Sequence, residues 1–227
     1  MSKYFSVLVM AWLLACPVRS FAASQEAMER NESGAKLLQQ GKIESAIAAF
    51  QEAMSLEPNY IAAQLNLSYA YERANRFEDA LNGYRRAITI EPNNFFAHNN
   101  LGVLYDKKGL YSEAIVEFQN ALKSEPGYVM AQKNLDTARK NKALAQEREV
   151  QIAQAEKQAQ ANPQDPKLAY QLARLYAVYG RKDFALQWLT KAVRQGYKDF
   201  AALQADPGFS NLRDDREFGL LLQGKLN

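Results

Sequence analysis

One cysteine and one histidine are all that this sequence offers to the commonest kinds of site chemistry. Cys16 is the only thiol, so a disulfide within one chain is excluded. His98 stands without a second histidine, and a Cys–His or Ser–His–Asp hydrolase needs a base set in a constellation that a lone ring does not make. The bland role for His98 is packing. Glycine numbers 11 and never gathers into a Walker-type or dinucleotide-binding turn. The paired carboxylates Asp214 and Asp215 sit in a turn, where capping a helix is their ordinary use. No catalytic residue, cofactor or metal is therefore expected, and the chain reads as no enzyme.

Charge of one sign is also scarce. There are 28 basic and 25 acidic residues, a net of +3, and setting aside residues 1–22 removes Lys3 and Arg19 to leave +1. Nucleic-acid binding calls for a concentrated basic face, so no nucleic-acid partner is expected. Arg139, Lys140 and Lys142 read as a solvated helix face. Long apolar runs are missing too. The N-terminal run Tyr4–Cys16 has 13 residues, too few to span a bilayer.

That run, introduced by Lys3, has the layout of an export signal. Two processing readings stand. Ser20-Phe21-Ala22 supplies small residues at −3 and −1, so that residues 1–22 are removed before Ala23. Alternatively Leu13-Leu14-Ala15-Cys16 resembles a bacterial lipobox, in which Cys16 becomes the lipidated first residue. Both predict an exported chain, periplasmic or outer-membrane-associated, whose mature form has no transmembrane segment.

What the chain has is repetition. Glu57-Pro58, Glu91-Pro92 and Glu125-Pro126 recur at intervals of 34 residues. Upstream of them the same set recurs: Ala46, Ala80 and Ala114; Phe50, Tyr84 and Phe118; Ala53, Ala87 and Ala121. A small residue, an aromatic, a small residue and a proline at fixed helical offsets resemble the tetratricopeptide repeat. The resemblance implies an all-α helical-hairpin solenoid, wound as a right-handed superhelix. It divides the chain into units at 27–60, 61–94 and 95–128, followed by 129–161, a further unit at 166–199 and a tail at 200–227.

The first unit departs from the pattern, with Ser33 where Leu is usual and Leu37 in place of Tyr, as expected at a solenoid end. In the segment after Tyr128, Asp136 takes the small position and Arg139 the aromatic one. A carboxylate at the closest helix crossing would be buried without a partner, so no second helix should fold back there. With no Gly or Pro before Pro163 and much Ala, Gln, Lys and Glu, 129–161 is expected to be one long bridging helix. In the later unit Leu172, Ala173, Tyr176, Gly180, Ala185, Leu189 and Ala192 keep the offsets. Trp188 should pack between it and the tail. Asp206-Pro207-Gly208-Phe209 and Asp215-Arg216-Glu217-Phe218 start short helices whose Phe209, Leu212, Phe218, Leu221 and Leu222 should cap it.

In the family the first helices line a concave groove. The matching positions here are Asn66, Tyr69, Arg73, Phe96, Asn99, Asn100, Val103, Lys107, Lys133 and Asn134, with Glu72, Asp106, Met130 and Lys140 beside them. Asn66, Asn100 and Asn134 recur at the repeat interval, and such a row can exchange hydrogen bonds with an extended peptide backbone, or equally with a neighbouring helix or water. The cationic clamp by which some relatives hold a terminal carboxylate is absent, since its positions here are Asn31, Ala35, Asn66, Phe96 and Asn100. The resemblance thus implies a non-enzymatic scaffold in the bacterial cell envelope, binding a partner's extended peptide or helix in the groove. Two alternatives stand beside it: a factor anchored through Cys16 that assembles outer-membrane or pilus components, and an accessory subunit of an enzyme on another chain.

Overall fold

Each Glu-Pro dipeptide begins a tight turn. In the computed structural model, which describes residues 24–224, the amide of Tyr60 donates to the Glu57 carbonyl, that of Asn94 to Glu91 and that of Tyr128 to Glu125, at 3.0–3.1 Å. Proline at the second turn position has its φ preset and no helix to continue. Asp165 donates to Asn162 in the same way across Pro163, so the break at 162–165 is a fourth copy of that turn. The apolar N-terminal run and Cys16 lie outside the described residues.

Between these turns lie the helices α1 (Gln25–Gln39), α2 (Ile43–Leu56), α3 (Ile61–Arg73), α4 (Phe77–Ile90), α5 (Phe95–Lys107), α6 (Tyr111–Ser124), α7 (Val129–Ala161), α8 (Pro166–Val178) and α9 (Lys182–Arg194). The short α10 (Phe200–Ala205), a 3-10 turn at Pro207–Leu212 and α11 (Arg216–Leu222) follow. The link inside each hairpin needs one residue in the left-handed region. Gly41, Gly109 and Gly180 supply it with φ of 75–76°, and Asn75 does so in the second hairpin with φ 59°. Glycine and asparagine are the residues for which that conformation costs least.

The described residues fall into two compact units, the first ending at Arg139 and the second beginning at Lys140. In the first, α1–α6 stack as three hairpins. The rings of Phe50 and Phe118 lie so close to Gly34 and Gly102 that a Cβ on either glycine would sit 2.6 Å from a ring carbon. The middle hairpin solves the same crossing differently: Ser68 stands where the others have glycine, and Gly83 across from it gives the room, a Cβ there meeting Ser68 Oγ at 2.2 Å. Ala80 is fully buried, but it is Gly83 that meets the serine. Successive hairpins are tied by their tyrosines, Gln51 Nε2 donating to Tyr71 at 3.0 Å and Arg85 Nη2 to Tyr105 at 2.8 Å.

The first third of α7 closes this unit with Ala131, Leu135 and Ala138, all buried on one helix face. Asp136 points away into solvent, accepting from Gln132 Nε2 at 3.2 Å, with Arg139 3.8 Å away. The helix is 33 residues long in all. In the second unit its later residues Ile152 and Ala159 join Leu172, Tyr176, Ala185 and Leu189 in one core. Leu203, Phe209, Leu212, Phe218 and Leu221 are buried in that core and Leu222 and Trp188 lie against it, with the Lys191 ammonium 4.3 Å from the Trp188 ring. Asp206 accepts from the Gly208 amide at 2.7 Å and Asp215 from that of Glu217 at 2.8 Å, each capping its turn.

Candidate groove on the first helices

The groove residues all belong to first helices, and cross-helix hydrogen bonds show how those helices lie side by side. Asn66 Nδ2 on α3 donates to Asn31 Oδ1 on α1 at 2.9 Å, and Asn134 Nδ2 on α7 donates to Asn99 Oδ1 on α5 at 2.9 Å. Both bonds join residues 35 apart, one position further along the next repeat. Between α3 and α5 the link cannot form, because Leu65 occupies the position held by Asn31 and Asn99. Asn100 instead accepts from its neighbour Asn99 at 3.2 Å. The asparagine row is therefore not an even ladder facing outward. Two of its three members staple adjacent repeats, and the third is left partly exposed without a cross-helix acceptor.

Other groove positions are engaged within the protein. Asn99 is 4% exposed and both ends of its carboxamide are engaged, so it forms the floor and not the surface. Lys107 pairs with Glu72, whose side chain is 9% exposed and also accepts from the Tyr84 hydroxyl at 3.5 Å. Burial first, and then the Glu72 carboxylate, push the Tyr84 hydroxyl far above its ordinary value of 10, so it stays a donor. Glu72 and Lys107 thus neutralise each other across two repeats. Lys140 belongs to the second compact unit.

Apolar and cationic side chains stand on the surface beside Asn100 and Asp106. Tyr69, Phe96 and Met130 are 41–53% exposed, and Val103 is half-buried. The Phe96 ring packs on Phe95 at 4.1 Å and on Tyr128 at 5.6 Å, which limits its rotation. Arg73 donates to the Tyr69 hydroxyl at 3.4 Å. Among the described residues no carboxylate lies within ion-pair distance of Arg73 or Lys133. His98 is buried as expected of a packing residue, but with partners that were not anticipated. Its Nδ1 lies 2.7 Å from Glu117 Oε2 and its Nε2 2.9 Å from the Pro92 carbonyl oxygen, so neither nitrogen is left to ligate. Among the described residues no cluster of acidic, histidine or cysteine side chains could hold a metal ion, and no helix is long and apolar enough to cross a membrane.

Comparison with known proteins agrees with this architecture. Two family models, each described as tetratricopeptide repeat, match residues 37–98 and 84–116. The comparison with curated proteins gives no match. Among solved structures the chain is similar to the first tetratricopeptide domain of Spaghetti (RPAP3) bound to the HSP90 peptide SRMEEVD, with 26% identity, 54% of this chain and 95% of that one covered, and a TM-score of 0.50. It is similar in fold to the first such domain of human RPAP3, at 23% identity, coverage of 54% and 96% and a TM-score of 0.52. The Sgt2 domain from Aspergillus fumigatus aligns at 20% identity, coverage of 57% and 87% and a TM-score of 0.54. Helical hairpins joined by glycine or asparagine turns and separated by proline turns, matched by these models and structures, make this a chain that carries tetratricopeptide repeats.

Proposed function

We propose that this protein is a scaffold that holds an extended segment of a partner protein along α3, α5 and the start of α7. The observation that carries the reading is a surface in which exposed Tyr69, Phe96 and Met130 stand over a floor of mutually bonded carboxamides. Exposed aromatic and apolar side chains on successive first helices offer alternate contacts to an extended chain. The similar Spaghetti domain is bound to a peptide, which supports the mode. That ligand's chemistry is not carried over, because the cationic clamp positions here hold Asn31, Ala35, Phe96 and Asn100.

Site-specific photocrosslinkers test this reading. Placed at Tyr69 and Phe96 they should capture a partner that one placed at Val116, an exposed residue of α6, does not. Equal capture from all three, or none from the first two, would overturn it.

The setting we infer is the bacterial cell envelope, supported by the export-signal layout of residues 1–22. The sequence Leu13-Leu14-Ala15-Cys16 favours a second form of it, a chain anchored through lipid on Cys16. The mass of the mature chain separates the two, since one begins at Ala23 and the other at an acylated Cys16.

A further inference from the structure

We propose that the segment bound at the α5–α7 end of the groove presents a bulky apolar side chain and a carboxylate two residues apart, the first against Phe96 and Met130 and the second on Lys133. The proposal rests on the groove reading above and adds the chemistry of its ligand. The Asn134–Asn99 bond places the face of α7 that carries Met130, Lys133 and Asn134 beside the face of α5 that carries Phe96 and Asn99. Phe96 also touches Tyr128, two residues before Met130, so both apolar groups lie at the same end of these helices. Phe96 and Met130 are 47% and 53% exposed. The ring of Phe96 already packs on Phe95 and Tyr128, which lowers the cost of ordering it for a ligand.

Charge decides what stands next to the apolar group. Lys133 occupies the repeat position that holds Asn31 and Asn99 in earlier units, where the carboxamide oxygen accepts from the following repeat. In the last copy an ammonium replaces that acceptor, and no described carboxylate lies within ion-pair distance of it. The other lysine of this surface, Lys107, is committed to Glu72. Lys133, which makes no ion-pair contact among the described residues, therefore sits one helical turn from Met130, and an anionic partner group complements it. Spacing follows from geometry. Residues three apart on a helix have Cβ atoms roughly 5–6 Å apart, and alternate residues of an extended chain, which point the same way, repeat at about 6.5–7 Å. A segment with an apolar residue and Asp or Glu at i and i+2 can reach both at once. A terminal carboxylate held by several cations has no counterpart here.

Fluorescence anisotropy on the full chain tests this with labelled nine-residue Ser/Thr peptides. The parent carries Phe and Asp at i and i+2, made in both orders, and the controls replace Asp by Asn, replace Phe by Ser, or separate the two by one further residue. One parent should bind about tenfold more tightly than each control, a 1.4 kcal/mol difference, and the gap to the Asn control should shrink as salt is raised. Lys133→Glu should lose that preference and favour a peptide with Lys in place of Asp. Met130→Ser should erase the difference between the Phe and Ser peptides. Both side chains are exposed, so circular dichroism should show both variants folded. Parents and controls binding alike, yet crosslinking at Phe96, would overturn the proposed chemistry and leave the groove reading standing. No peptide binding at all would likewise overturn the proposed chemistry, and crosslinking only at Val116 would overturn both.

Discussion

Replacing Asn134 by Ala tests whether the asparagine row is part of the framework. The substitution removes the donor that Asn99 Oδ1 accepts at 2.9 Å, and Asn99 is 4% exposed, so water cannot easily take its place. Leaving a buried acceptor unpaired costs about 1–3 kcal/mol. Asn66→Ala removes an equally short bond, but its partner Asn31 is only half-buried, and the expected loss is nearer 0.5–1.5 kcal/mol, roughly the net worth of a hydrogen bond that water can replace. In a solenoid the loss should fall on the interface concerned. Amide exchange in Ala131–Ala138 of α7 should therefore rise about 5- to 150-fold in Asn134→Ala, the range that 1–3 kcal/mol implies, while α3 changes little. A second substitution sharpens the test. Asn99→Leu places at this position the residue that Leu65 already supplies one repeat earlier, so adding it to Asn134→Ala should recover part of the loss by removing the orphaned acceptor. Exchange in α7 that is unchanged by Asn134→Ala, or a double variant whose losses simply add, would refute the reasoning. Partner capture measured on the same variants, at a temperature where all are folded, reports any separate role in binding.

Four other perturbations bear on the framework. Asp206 should matter through pH: burial opposes its ionisation, but hydrogen bonds from Tyr170 at 2.5 Å and from the Gly208 amide, with the Arg174 guanidinium, outweigh it and hold the carboxyl below its ordinary 3.8. Its contribution is then complete above that value and lost as pH falls through the lower folded-state value, so in acid titrations of Trp188 fluorescence, made in a Trp12→Phe background, Asp206→Asn should remove that part of the acid sensitivity. At Asn75, with φ 59°, Ala should be roughly 1 kcal/mol less stable than Gly in urea melts, because the left-handed conformation penalises a Cβ. Gly102→Ala should destabilise despite the roughly 1 kcal/mol helix preference of alanine, since overpacking the buried Phe118 ring costs about 1–3 kcal/mol, and Phe118→Leu should relieve it. Gly219→Ala on α11, whose Cβ would meet nothing within 4 Å, should instead stabilise.

The period of 34 residues was enough to determine where hairpins begin and end, because proline, glycine and a core-facing alanine or aromatic act through the local chain and need no knowledge of distant partners. Asp136 and Arg139 likewise announced that the fourth copy does not fold back, and α7 does run on to Ala161. The export signal and Cys16 remain matters of sequence alone. Only tertiary structure decided what the polar groove positions do. Asn66, Asn99 and Asn134 carry the same side chain, yet whether each faces a ligand or a neighbour depends on what the adjacent helix presents: Asn31 accepts from Asn66, Asn99 accepts from Asn134, and Leu65 leaves Asn100 without a cross-helix bond. Glu72 with Lys107, and His98 with Glu117, are joined for the same reason. Periodicity places a residue on a helix face. The partner it meets is set by how two faces pack, and that pairing left Phe96, Met130 and Lys133 as the exposed chemistry at the end of the groove.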